Sequence, residues 1–120
     1  MRLRDTLGID AVSAALQPFY DYAAGEIILF EIKNENMVPT LPLGGEAVVD
    51  TGRRIPNDGG VYAVRSSTGE VAFYRFSVVT LSPLLVEAVR DNPLYWRGDG
   101  QRILAEELDI VGRVVNVLVP

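Results

Sequence analysis

Pro56-Asn57-Asp58-Gly59-Gly60 places five turn-forming residues side by side, and no regular helix or strand runs through such a stretch. It is the densest of several such interruptions. Gly44-Gly45 and Gly52 bracket the apolar run Glu46 to Asp50, and Ser66-Ser67-Thr68-Gly69 separates Val61 to Arg65 from Glu70 to Phe76 at hairpin spacing. In Glu70 to Phe76, alternation puts Val71, Phe73 and Arg75 on one side and Ala72, Tyr74 and Phe76 on the other. Further extended pieces fall at Phe19 to Ala23, Glu26 to Lys33, Leu84 to Val89 and Asp109 to Val119. Many short strands with turns between them predict a compact all-β, partly barrel-like domain.

The only helix-like pattern lies between Asp5 and Gln17, where Asp10 can cap a short apolar turn that Pro18 would stop. Residues 1–17 are accordingly expected to form a linker or short helix, and residues 18–120 the domain. A chain of 120 residues is long enough for one core. With 48% apolar and 22% charged residues, it has the composition of an ordered globular protein. No apolar run approaches the roughly 20 residues a membrane-spanning helix needs, so no membrane partner is expected. The start, Met1-Arg2-Leu3-Arg4-Asp5, lacks the apolar region of a signal peptide. The absence of cysteine excludes disulfides and thiolate chemistry and makes a cytoplasmic location the expectation. The net charge is -5, with Lys33 the one lysine and Arg53-Arg54 the one adjacent basic pair, read as a solvated loop. That distribution argues against direct nucleic-acid binding, which needs clustered Lys and Arg.

The turn at Asn34-Glu35-Asn36-Met37-Val38-Pro39-Thr40-Leu41-Pro42-Leu43 follows one strand-like run and precedes another, where folds commonly place chemistry. It resembles the Gly-Asp-Ser-Met-x-Pro-Thr-Leu motif of the LexA-like and phage-repressor C-terminal domains, which cleave themselves with a serine–lysine dyad. The resemblance continues in order through Gly44-Gly45-Glu46-Ala47-Val48-Val49-Asp50, Gly59-Gly60-Val61-Tyr62-Ala63-Val64-Arg65, Asp91-Asn92-Pro93-Leu94-Tyr95 and Glu107 to Val115. It covers about a hundred residues from Pro18 onward. It implies a compact mixed β-barrel of the LexA and signal-peptidase kind. It also implies that Asn36 stands at the serine position and Tyr74, in Phe73-Tyr74-Arg75, at the lysine position. Tyr22-Ala23-Ala24-Gly25-Glu26 is similar to the family's cleavage segment, with Ala24-Gly25 as the bond cut. An unhindered turn explains the same residues.

A Ser–Lys dyad needs a hydroxyl to attack and a neutral amine to take its proton. Asn36 offers a carboxamide and Tyr74 a phenol that stays protonated near neutrality. The chain has no histidine, and Lys33 lies outside the base position. Thr40, Ser66, Ser67, Ser77 and Ser82 have no lysine or histidine partner in the pattern. Glu35, Asp91 and Glu107 read as solvated carboxylates rather than as a metal or acid–base set. The expectation is therefore a pseudo-enzyme with no cofactor and no metal. In it Asn36 serves as a turn residue bonded to nearby backbone, and the Tyr74 ring fills a former lysine channel. Restoring both groups, Asn36→Ser with Tyr74→Lys, should then yield slow cleavage after Ala24.

Relatives use the uncut domain to join repressor subunits, so the resemblance implies a non-catalytic oligomerisation and regulatory domain of a phage-type transcriptional repressor. DNA would be reached only through a separate N-terminal domain. The long β-branched run Ile110 to Val119 is the expected pairing element of a homodimer or higher homo-oligomer, with Ile110, Arg113, Val115, Val117 and Val119 at the interface. An internal strand paired on both sides is the alternative for this run. The alternative for the whole chain is a stand-alone pseudo-protease that holds a peptide or antirepressor in the vestigial cleft.

Overall fold

The computed structural model describes residues 26–95 and 100–120. The proposed linker or helix at 1–17, the extended piece at Phe19 to Ala23 and the Ala24-Gly25 bond lie outside them. Seven strands follow one another: β1 (Ile27–Glu31), β2 (Glu46–Asp50), β3 (Val61–Arg65), β4 (Val71–Leu81), β5 (Leu84–Val89), β6 (Arg102–Leu104) and β7 (Asp109–Leu118). They form one sheet in the order β1-β2-β7-β3-β4-β5-β6. Every ladder is antiparallel, where the resemblance implied a mixed sheet. Among the described residues no ladder joins β1 to β6, and no helix is long and apolar enough to cross a membrane.

Turn chemistry sets most of the element ends. Gly69 closes the β3–β4 hairpin with φ +89°, a region that costs a residue with a Cβ, and its N–H donates to the Ser66 carbonyl at 2.9 Å. β4 runs on through Ser77-Val78-Val79-Thr80-Leu81, five residues past the expected end at Phe76. Val78 pairs with Val86 and Leu81 with Leu84 across the tip. β-branched residues extend a ladder readily once a partner strand is present. β6 and the 3-10 turn Ala105–Glu107 were not expected: a three-residue strand is too short to carry an alternation signal.

The described residues bury three hydrophobic clusters. Met37, Leu41, Ala47, Val49, Val61, Ala63, Phe73 and Val111 form the largest, with Val114 and Val117 against it. Tyr62, Val64, Phe76, Val86 and Ile110 form a second, with Tyr74 packed on it. Leu29 and Val48 form a third with Val115 and Leu118. Val114 and Val117 reach the same cluster despite being three residues apart, because the ladder to β2 shifts register there and leaves Val115 as the extra residue. A second shift, opposite Ala63/Val64, sits at Val111. Between them Gly112 passes so close to the turn after β2 that a Cβ would run into the Asp50 carbonyl and lie 2.9 Å from the Thr51 Cα.

Candidate functional site

The Asn36 turn leaves the sheet after β1 and returns to it at β2. Its base is closed by Ile32 and the glycine pair: the Ile32 N–H donates to the Gly45 carbonyl and the Gly44 N–H to the Ile32 carbonyl, both at 2.9 Å. Inside the loop the Val38 N–H donates to Glu35 and the Leu41 N–H to Met37. Met37 and Leu41, 2% and 0% exposed, drive it into the largest cluster. Asn34, not Asn36, plays the expected side-chain role, its Oδ1 accepting the Asn36 N–H at 3.1 Å. The Asn36 carboxamide has no intramolecular hydrogen bond among the described residues.

A second turn, at residues 91–95, clamps the first. The buried Asn92 donates its N–H to the Asn36 carbonyl at 2.9 Å and its Nδ2 to the Glu35 carbonyl at 2.8 Å, while its Oδ1 accepts the Leu94 N–H at 3.0 Å. Three of its polar groups are thereby satisfied in a residue only 7% exposed. Asp91 beside it is not the solvated carboxylate expected from sequence. Arg75 grips it in a fork, Nε to Oδ1 at 2.9 Å and Nη2 to Oδ2 at 2.7 Å, and Thr40 donates its hydroxyl to Oδ2. The Arg75 Nη1 also donates to the Gly59 carbonyl. The Arg75 hydrogen bonds hold the Asp91 carboxyl below its ordinary pKa, against partial burial that pushes it up, and the Thr40 hydroxyl assists. The same contact raises the pKa of Arg75. This network spans the Asn36 turn, β4, the Gly59 turn and the end of β5. It consumes the one hydroxyl, Thr40, that sequence places nearest the turn.

The structure links Asn36 and Tyr74 by no hydrogen bond. Phe73 belongs to the cluster that holds Met37, whereas Tyr74 packs against the second cluster with Tyr62 and Phe76. Tyr74 lines a cavity of about 470 Å³ whose walls include Val64, Ala72, Ala88 and Arg90, with Tyr95 at the end of the clamping turn. Arg90 was not singled out from sequence, and Tyr95 only as the last residue of the family-like 91–95 turn. The usable signal was the β4–β5 register, which pairs Arg75 with Val89 and so carries Tyr74 towards Arg90. The Arg53-Arg54 pair is tied to its own loop, Arg53 Nε 3.5 Å from the Asp50 Oδ2 and Arg54 Nε donating to the Thr51 carbonyl at 2.9 Å.

β7 lies between β2 and β3, but its two neighbours are staggered. β3 pairs with residues 109–113 and β2 with residues 113–118. Ile110, 7% exposed and opposite Val64, is part of the chain's own core, so it does not face outward as the interface expectation had it. Arg113, Val115 and Val117 are half-buried, and Val119 is 76% exposed. Among the described residues, Val114 and residues 116–118 have a ladder partner on the β2 side only, and Val115 is the unpaired residue between them. On the other side they border a groove of about 310 Å³ with Thr40, Gly60, Val61 and Arg75. The Val117 N–H is occupied by the Asn116 Oδ1 at 2.8 Å.

A comparison with protein-family models finds no match to this chain, and a comparison with curated proteins finds none either.

Proposed function

We propose that this chain is a non-catalytic oligomerisation and regulatory domain of a phage-type transcriptional repressor, built on a LexA-like scaffold. In this reading Asn36 and Tyr74 stand where a serine and a lysine once worked. The chain acts by pairing with a second copy, and DNA is contacted through a separate domain. Joining two weak DNA-binding heads raises effective concentration without a new DNA contact. The ordered series of family-like segments supports the scaffold. The observation that carries the pairing is the half-open edge of β7: residues 116–118 are bonded to β2 and meet no strand on their other side among the described residues. An unpaired β-branched edge is the usual template for strand addition. Val115, Val117 and Val119 flank that edge, and Arg113 stands at its start.

The same edge could accept a foreign strand, which is the pseudo-protease reading in its most concrete form. The groove beside it, lined by Thr40 and Arg75, favours that second reading only if the chain does not self-associate. Sedimentation equilibrium separates the two. The expected result is a dimer for the wild type, and a monomer with unchanged circular dichroism for Val117→Lys and Val119→Lys. A wild-type chain that stays monomeric at high concentration overturns the proposal. A dimer unaffected by either substitution removes this segment from the interface.

A further inference from the structure

The cavity beside Tyr74 lies on a different part of the sheet from the β7 edge, and its chemistry is independent of the oligomerisation reading. Its apolar lining includes Val64, Ala72, Phe76 and Ala88. At one end the β4–β5 register continues from Phe76↔Ala88 and Arg75↔Val89 towards Tyr74 and Arg90, so the two side chains share one face. Both are half-buried. Among the described residues the Arg90 guanidinium has neither an ion pair nor a hydrogen bond, and the Tyr74 hydroxyl has no hydrogen-bond partner.

The contrast with the rest of the cavity matters. Arg65, the other guanidinium in the lining, lies 3.8 Å from Asp109 in an exposed ion pair. Asp109 is on β7, separated from β5 by β3 and β4 in the sheet order. Three strand spacings put it about 14 Å from the Arg90 strand. Glu107, on the 3-10 turn, also lines the cavity, so its lining holds two guanidiniums and two carboxylates, and the end at Arg90 and Tyr74 is the one that offers positive charge with a hydroxyl donor. Pockets of this size that pair apolar walls with a few convergent polar groups are the ordinary form of a small-ligand site. A guanidinium fork with an adjacent hydroxyl matches a carboxylate better than any neutral group.

The geometry points to a binding site for an apolar group that ends in a carboxylate, with Arg90 and Tyr74 holding the carboxylate and the apolar body lying over Val64, Ala72, Phe76 and Ala88. Either a small aryl- or alkyl-carboxylic acid or the C-terminus of a peptide carries that chemistry. No covalent step is involved.

The test uses the whole chain, labelled with nitrogen-15, and follows amide shifts during titration near neutral pH. The small-molecule probes are 4-phenylbutyrate and its uncharged amide, 4-phenylbutanamide. The peptide probes are acetyl-Ala-Val-Phe with a free carboxylate and the same peptide as its carboxamide. We expect at least one acid to shift the amides of Tyr74, Ala88 and Arg90, with its carboxamide roughly tenfold weaker. Arg90→Gln should weaken the acid roughly tenfold and leave the carboxamide unchanged, and Tyr74→Phe should weaken the acid roughly threefold. Which acid binds tells a free small acid from a peptide end. Equal binding of acid and carboxamide overturns the proposal. So does an acid indifferent to Arg90→Gln, or no shift from either acid at about 10 mM.

Discussion

Arg75 and Asp91, 16 residues apart, meet through two parallel contacts of 2.9 and 2.7 Å, and this fork fastens the start of the 91–95 turn to the middle of β4. Because Asn92, the next residue, holds the carbonyls of Glu35 and Asn36, the fork also steadies the Asn36 turn from a distance. Replacing Arg75 with Met leaves Asp91 without its cation and Gly59 without a donor. A loss of about 1–3 kcal/mol in urea unfolding is expected, towards the lower end because Arg75 is over a third exposed. Arg75→Lys should recover less than half, since an ammonium cannot make the fork. Full recovery by Lys would show that charge alone matters.

The pH dependence of that contact has a definite sign. Asp91 has a folded-state pKa below its unfolded value, so its contribution is present above the ordinary carboxylate range and fades as pH falls through the lowered value. Arg75, raised from an already high value, loses its contribution only in strong alkali. The stability gap between wild type and Asp91→Asn should therefore be wide near neutrality and narrow progressively as the pH falls below the ordinary carboxylate range. A gap of constant width across that range would mean that the Asp91 charge does not stabilise the fold.

Tyr62 is fully buried, yet its hydroxyl is occupied at both ends of its chemistry. It accepts the Asn57 N–H at 2.9 Å and donates to the Ile55 carbonyl at 3.3 Å. Its ring packs tilted on Phe76 at 5.8 Å between centroids. Tyr62→Phe keeps the packing and strands both backbone groups, so a loss of about 1–2 kcal/mol is expected by chemical denaturation. Amide exchange should quicken at Asn57 first. Unchanged exchange there would place the anchor of the 55–57 loop elsewhere.

Gly112 sits where β7 passes the turn after β2, with no space for a Cβ against the Asp50 and Thr51 backbone. Gly112→Ala must push two chain segments apart, and a loss of about 1–3 kcal/mol is expected. The thermal midpoint measures it. A variant as stable as the wild type would show that this crossing is free to open.

Sequence reasoning read the local part of this protein well. Gly44-Gly45, Pro56 to Gly60 and Ser66 to Gly69 fall between strands because their backbone preferences act within a few residues. The bounds of β2 and β3 follow directly from those turns. Alternation within β4 correctly parted Phe73 from Tyr74. It could not show that the two sides of that strand serve different clusters, nor that Tyr74 would look into a cavity beside Arg90.

What tertiary structure alone decided lies in contacts between distant segments. Asp91 reads as a solvated carboxylate until Arg75 arrives from another strand and Thr40 from another loop. Ile110 reads like any other valine-rich strand residue until β3 covers it. The two register shifts on β7 break the alternation that sequence relies on, and the one at Val115 carries Val114 and Val117 to one cluster. Short-range preference is written residue by residue, whereas pairing depends on which strand becomes a neighbour. That choice is made by the burial of the whole sheet at once.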